Sequence, residues 1–255
     1  MRRLLVAVLA GVPLVAGPVL PLLALPPASA GPHAGPDSSG GHILEWKRIG
    51  ESVRGRAIWA FRVGDPDARV KAVVLGAIHG DEPAGIVLAR ALKEARRIEG
   101  VDLWVVPTIN PDGVARGTRG NARGVDLNRN WGRHWAPLTG RYYSGPAPFS
   151  EPETRAFRDF LRRVKPRFVV SFHQPLYGVG RAYERVAFQR RLAQELRLPR
   201  RWFTCNGGCH GTMTQWFNHW QDGTAITVEF GRRPSRDYLA GRAMRGTVRS
   251  VLGRF

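Results

Sequence analysis

The sequence predicts an α/β domain with a doubly wound sheet, mixed but mostly parallel, and helices on both faces. Three observations predict it. Apolar stretches of strand length alternate with stretches of helical periodicity along the chain. The runs at 70–77, 102–108, 167–172 and 224–230 are almost continuously apolar, as strands covered on both faces are. Each of the four also ends on or just before a polar residue, namely His79, Asn110, His173 and Glu229. In a doubly wound sheet the ligand crevice lies outside the carboxyl ends of the strands, so these four residues are expected along one edge.

The elements follow in order. Residues 43–47 (ILEWK) and 56–63 (RAIWAFRV) predict two strands joined by the turn GESVRG. After the strand VKAVVLGA (70–77) comes a helix from Pro83 to Arg97, with Ile86, Val87, Ala89, Leu92 and Ala95 at helical spacing. Pro83 suits its first turn, where a missing N–H costs nothing. The strand DLWVVPT (102–108) leads into a long irregular stretch, 110–149, rich in Gly, Asn, Arg and Trp. A loop of that length inside a small domain is usually functional. Ser150 is expected to cap a helix that runs to about Val164, with Glu151 and Glu153 in its first turn. The strand RFVVSF (167–172), a helix over 184–197, the strand TAITVEF (224–230) and an amphipathic helix from 235 complete the chain, which shows no internal repeat.

The chain has 255 residues, a length that suits one α/β domain. Arg2 and Arg3, the apolar stretch Leu4 to Leu25 and Ala28-Ser29-Ala30 read as a secretory signal peptide over 1–30. Residues 31–41 (GPHAGPDSSGG) read as a disordered leader, and 42–255 as the folded domain. Cleavage would lower the net charge from +19 to +17. The basic residues are 35 Arg against 4 Lys, scattered along the chain rather than gathered in a patch, so nucleic acid is not an expected partner. The expectation is a secreted, extracytoplasmic monomer without stable membrane association after cleavage, in a compartment of anionic cell-wall polymers. In such a compartment Cys205 and Cys209 are expected to form a local disulfide that shapes the Asn206-Gly207-Gly208 turn. The same pair with His210 also carries part of a metal-site pattern.

The strand-end residues suggest chemistry. His79 and Glu82 could share one metal ion if the turn after the strand bends around it, with His173 as the third ligand. Two histidines, one glutamate and an open position make the donor set of a catalytic zinc site. Glu229 ends an apolar strand, where a carboxylate needs a function or a partner. It is the candidate general base for zinc-activated water, returning the proton to the leaving amine. In the long loop, Arg119, Asn128 and Arg129 are candidate anion binders, since an arginine fork reads a carboxylate bidentately and can stabilise an oxyanion.

Seven motifs in one order carry a resemblance. They are IGESVRGR (49–56), HGDE (79–82), NPDG (110–113), GVDLNRNW (124–131), SEPET (150–154), SFHQP (171–175) and TVEFG (227–231). With them the chain resembles the M14 zinc metallocarboxypeptidases. The resemblance implies one zinc ion per chain on His79, Glu82 and His173, with Glu229 as general base. It implies that Arg119 polarises the scissile carbonyl and that Asn128 and Arg129 hold the substrate's terminal carboxylate. Trp216 lies 13 residues before Glu229, and that register puts Thr214 in the specificity pocket. Two departures matter. The region of 205–209 lacks the mobile tyrosine of the digestive enzymes, and Asp81 stands where those enzymes carry arginine. The chain is more similar to the bacterial murein peptide amidases, which implies a cell-wall peptide such as γ-D-glutamyl-diaminopimelate as substrate, with Asp81 or the Thr214 pocket meeting its ammonium group. The alternatives are a secreted carboxypeptidase that scavenges ordinary peptides and a catalytically silent cell-wall binding protein on the same scaffold.

Overall fold

The computed structural model of the protein describes residues 42–182, 184–205 and 209–255. The expected signal segment 1–30, the expected leader 31–41 and the turn at 206–208 lie outside the described residues.

Among the described residues seven strands form one sheet in the order β1-β2-β4-β3-β5-β7-β6. The apolar runs supply its centre. β4 (Asp102–Thr108), β3 (Lys71–Ala77), β5 (Phe168–His173) and β7 (Thr224–Glu229) are mutually parallel neighbours. The remaining three are antiparallel and sit at the margins. β1 (Glu45–Glu51) and β2 (Ala57–Arg62) form the predicted hairpin, although β1 runs past its expected end at Lys47 and takes in Gly50 and Glu51 of the expected turn; the hairpin joins the sheet through β4. The two-residue β6 (Gly178–Val179) closes the far edge against β7. The sheet is therefore mixed with a parallel core, as the sequence predicts.

The pleat sends alternate side chains to two cores. Ala72, Val74, Leu103, Val105, Val170, Phe172, Ile226 and Val228 face one core, which α1 (Ala84–Lys93), α4 (Val186–Leu196) and the carboxy-terminal helix cover. Val73, Leu75, Trp104, Val106, Val169 and Ala225 face the other, which α3 (Pro152–Val164) and α5 (Met213–Trp220) cover. Because both faces are sealed, β3 loses almost all contact with solvent from Ala72 onward. Each of its Val and Leu side chains contributes about 1.5–3 kcal/mol by burial.

Several expectations are corrected. Helix α1 stops at Lys93 rather than Arg97, because Ile98 turns into the core and Glu99 bridges to Arg254 through two backbone hydrogen bonds. Ser150 does not cap α3. The N-cap is Glu151, Pro152 opens the first turn, and Ser150 Oγ instead donates to Glu151 and accepts from Asn130. The stretch 110–149 contains a helix, α2 (Pro111–Arg116), and two short 3₁₀ turns at Leu127–Arg129 and Gly140–Tyr142. The final helix begins as a π-helical segment at Tyr238–Ala243 and becomes regular only in α6 (Met244–Ser250). Cys205 and Cys209 are joined in a disulfide, so they are not ligands beside His210. Among the described residues no helix is long and apolar enough to cross a membrane.

Candidate active site

At the carboxyl edge of the parallel strands the chain leaves β3 through Ile78 and turns sharply at His79-Gly80-Asp81-Glu82 before α1 begins. Gly80 is required there, because a Cβ at this position would run into the carbonyl group of Gly113 in α2. The turn folds Glu82 back beside His79, and Ala84 N at the start of α1 donates to Gln174 Oε1 just beyond β5 at 2.9 Å. The segments that carry the two histidines are thus tied together.

The three expected metal ligands meet. His79 Nδ1 lies 2.9 Å from Glu82 Oε1, and His173 Nδ1 lies 3.0 Å from Glu82 Oε2. The ligand atoms all fall within 4.8 Å of one another, and the residues are only 2%, 6% and 4% exposed for His79, Glu82 and His173. The outer ring nitrogens are also engaged. His79 Nε2 lies 3.0 Å from Asp126 Oδ1, and His173 Nε2 lies 3.1 Å from Ser171 Oγ. Asp126 is an acceptor, so Nε2 of His79 carries a hydrogen toward it, and Nδ1 is the nitrogen that faces Glu82. Two imidazole nitrogens and one carboxylate converging at such distances form a donor set that fits zinc.

The electrostatics are tightly coupled. Burial pushes the Glu82 carboxyl up, but His79 and His173 outweigh it and hold it well below the usual carboxylate range. The same balance, struck by His79, Arg119 and Arg129, holds Asp126 low. Burial pulls the His79 imidazole down, and Glu82 and Asp126 together raise it above its ordinary value.

Glu229 closes β7 directly opposite His173 in the strand register. It is 8% exposed, and burial, the largest influence, raises its carboxyl above the ordinary value. Its Oε2 accepts a hydrogen bond from Leu176 N at 3.2 Å. Among the described residues no arginine or lysine pairs with it, so it is not an ordinary strand-end glutamate held in an ion pair.

The long loop supplies the cations. Arg119 donates from Nε to Asp126 Oδ2 at 2.9 Å and from Nη1 to Glu82 Oε1 at 3.2 Å, which sets its guanidinium beside the histidine cluster. Asp126 also accepts from Asn128 N and so starts the 3₁₀ turn at Leu127–Arg129. Asn128 Oδ1 accepts from Met213 N, and Arg129 donates to Asn128 O. Thr214 is half-buried in the first turn of α5, one residue beyond that anchor, with Oγ1 3.4 Å from Thr212 Oγ1. Asp81 is not one of the clustered ligands; it is partly exposed, with Arg141 3.8 Å away. Asn110, expected at the strand edge, is fully buried scaffold. It caps α2 and donates to Ile78 O and Arg119 O, fixing the loop that carries Arg119.

Sequence reasoning missed three contributors. Asp126 sits inside GVDLNRNW without any mark to set it apart from its polar neighbours. Ser171 precedes His173 by two, and the period of a strand puts both on one face, so that signal was available. Tyr142 lies under the guanidinium groups of both Arg119 and Arg129, at 5.4 and 5.2 Å from its ring centre, which links two segments that no local spacing connects.

Comparison with known proteins gives the family and the fold. The sequence profile of the zinc carboxypeptidases (Peptidase_M14) matches residues 38–175. The chain is similar to murein peptide amidase A of Escherichia coli K12, at 38% identity over 127 residues, which is 43% of this chain and 51% of that protein. It is also similar to murein peptide amidase A of Vibrio campbellii, at 33% identity over 141 residues, 50% of this chain and 56% of that protein. The match thus spans about half the length of these relatives. Among solved structures, murein-tripeptide amidase from Escherichia coli O157 superposes with a TM-score of 0.65 at 28% identity, covering 82% of this chain and 94% of that chain. Carboxypeptidase A from Helicoverpa armigera shares the fold, with a TM-score of 0.69 at 17% identity over 83% of this chain and 68% of that chain.

Proposed function

The chain belongs to the zinc carboxypeptidase family, and from that premise we propose that it is a secreted hydrolase cleaving an amide bond next to a free carboxylate in cell-wall peptides such as γ-D-glutamyl-diaminopimelate. The observation that carries this reading is the convergence of His79, Glu82 and His173 at one strand edge with the buried Glu229, which among the described residues has no cationic arginine or lysine partner, beside them.

His79, Glu82 and His173 would hold one zinc ion, which when bound supplies Lewis acidity and lowers the pKa of water. Asp126 and Ser171 orient the two imidazoles through their outer nitrogens. Glu229 takes a proton from the attacking water and passes it to the leaving amine, and its raised pKa makes it a better base than an ordinary carboxylate. Arg119, held against Asp126, stabilises the charge that develops on the carbonyl oxygen. Asn128 and Arg129 hold the carboxylate of the leaving residue, and Thr214 lines the pocket for its side chain. The similarity to murein peptide amidases, the amino-terminal signal pattern and the acidic Asp81 support a cell-wall substrate over an ordinary peptide.

The test sets a γ-D-glutamyl-diaminopimelate peptide beside peptides ending in Arg or Leu. The diaminopimelate peptide is expected to show the highest kcat/KM, and Asp81→Asn is expected to lower that value more than the value for the Leu peptide. Preference for the Arg or Leu peptide would make the protein a scavenging carboxypeptidase instead. An equal effect of Asp81→Asn on both peptides would remove Asp81 from substrate recognition.

A further inference from the structure

Beyond Glu229 the chain runs into Phe230-Gly231-Arg232-Arg233-Pro234, and this segment walls a cavity of about 380 Å³. Such a volume holds a small ligand or one part of a larger one. Its apolar side is built by Tyr177, Phe230 and Tyr238, and its charged side by Arg197, Arg232 and Arg233. Burial pushes the Tyr238 hydroxyl up to about 12, so the group stays protonated while it donates to Leu196 O. No acidic residue lines the cavity, and among the described residues none of the three guanidinium groups has a carboxylate partner. Three uncompensated cations around one concavity repel each other and attract an anion.

The cavity is joined to the candidate active site through one short segment. Leu176 N donates to Glu229 Oε2, Gln174 Nε2 donates to Gly231 O and Arg232 O, and Tyr177 forms part of the wall. The same loop therefore touches the base and shapes the cavity. The proposed carboxylate anchor and the cavity lie over opposite faces of the sheet. The anchor for Asn128 and Arg129 packs with Leu127, Trp131 and Met213 on one core, while Phe230, Leu198 and Tyr238 pack on the other. A peptide with its leaving carboxylate held by Arg129 would cross the strand edge at Glu229, and its acyl half would leave on the side of this cavity.

We propose that the cavity is a subsite for the acyl half of the substrate and selects for a second carboxylate on that half. The inference rests on the reading of the chain as a peptide-cleaving enzyme and deepens it. Arg232 and Arg233 would read the carboxylate and the tyrosines would pack against the alkyl portion next to it, as a fork and an apolar wall do elsewhere.

The test uses two peptides identical except at the residue on the acyl side of the scissile bond. One carries a free α-carboxylate (γ-D-glutamyl) and the other the α-carboxamide. The native zinc-loaded protein is expected to favour the carboxylate peptide by at least tenfold in kcat/KM, and Arg232→Ala/Arg233→Ala is expected to bring that ratio close to one. Both arginines are exposed, and among the described residues neither side chain has a partner, so the variant should fold, which circular dichroism checks. A native ratio near one, or a ratio that the double variant leaves intact, overturns the proposal while the proposed function stands. Failure to cleave either peptide contradicts the proposed function, and direct binding then decides the inference. N-acetyl-alanyl-D-glutamate should bind the native protein at least tenfold tighter than its α-amide in calorimetric titration, and equal affinities overturn it.

Discussion

Glu229 and Asp126 are both buried carboxylates near the same histidines, yet their surroundings drive them in opposite directions. Asp126 faces His79, Arg119 and Arg129 and stays ionised far into acid. Glu229 has burial as its main influence and is raised. The two therefore make separable predictions. Glu229→Gln should lower kcat by about 10²–10⁴ while zinc content stays at one per chain, measured by steady-state kinetics beside metal analysis. The base works deprotonated, so native activity should fall as pH drops through a value above the ordinary glutamate pKa, and the Gln variant should lack that limb. Asp126→Asn should instead weaken zinc binding by about 10–100-fold in a chelator competition, because the amide no longer fixes the His79 tautomer. At this scale the sequence was informative where one residue broke a pattern. His79, His173 and Glu229 each interrupt the end of an apolar strand. Asp126 interrupts nothing, and its role depends on contacts with His79 and Arg119 that only the folded loop creates.

Among the elements, the long, strongly patterned ones were legible and the short ones were not. The four core strands need no partner information, because burial on both faces writes itself as continuous apolar sequence. Helix α2 has six residues, and its opening Asn-Pro-Asp-Gly reads equally well as a turn. Helix α5 has eight residues, and its capping box was present in the sequence as Thr212 and Gln215. Strand β6 has two residues and exists only because β7 is there to pair with it. These short pieces matter to the site. Helix α2 carries the backbone on which the turn with His79 and Glu82 rests, with Gly80 set against Gly113. Gly80→Ala should therefore destabilise the fold by about 1–3 kcal/mol, read as a lower midpoint in denaturant unfolding at unchanged slope. A stability equal to the native protein would mean that the turn can give way without loss.

For the whole molecule, the parallel order of β4, β3, β5 and β7 gathers residues 79, 110, 173 and 229 from across the chain onto one edge. Under the proposal, the leaving residue and the acyl half lie on the two sides of that edge, one over each core. Such an arrangement suits hydrolysis of a substrate with charged groups on both sides of the scissile bond. Mass spectrometry of purified muropeptides incubated with the zinc-loaded protein tests this most directly. The expected result is release of a diaminopimelate-containing product with water added across the γ-D-glutamyl bond, absent when Glu229→Gln replaces the native protein. Muropeptide masses left unchanged by protein carrying one zinc per chain would contradict the account.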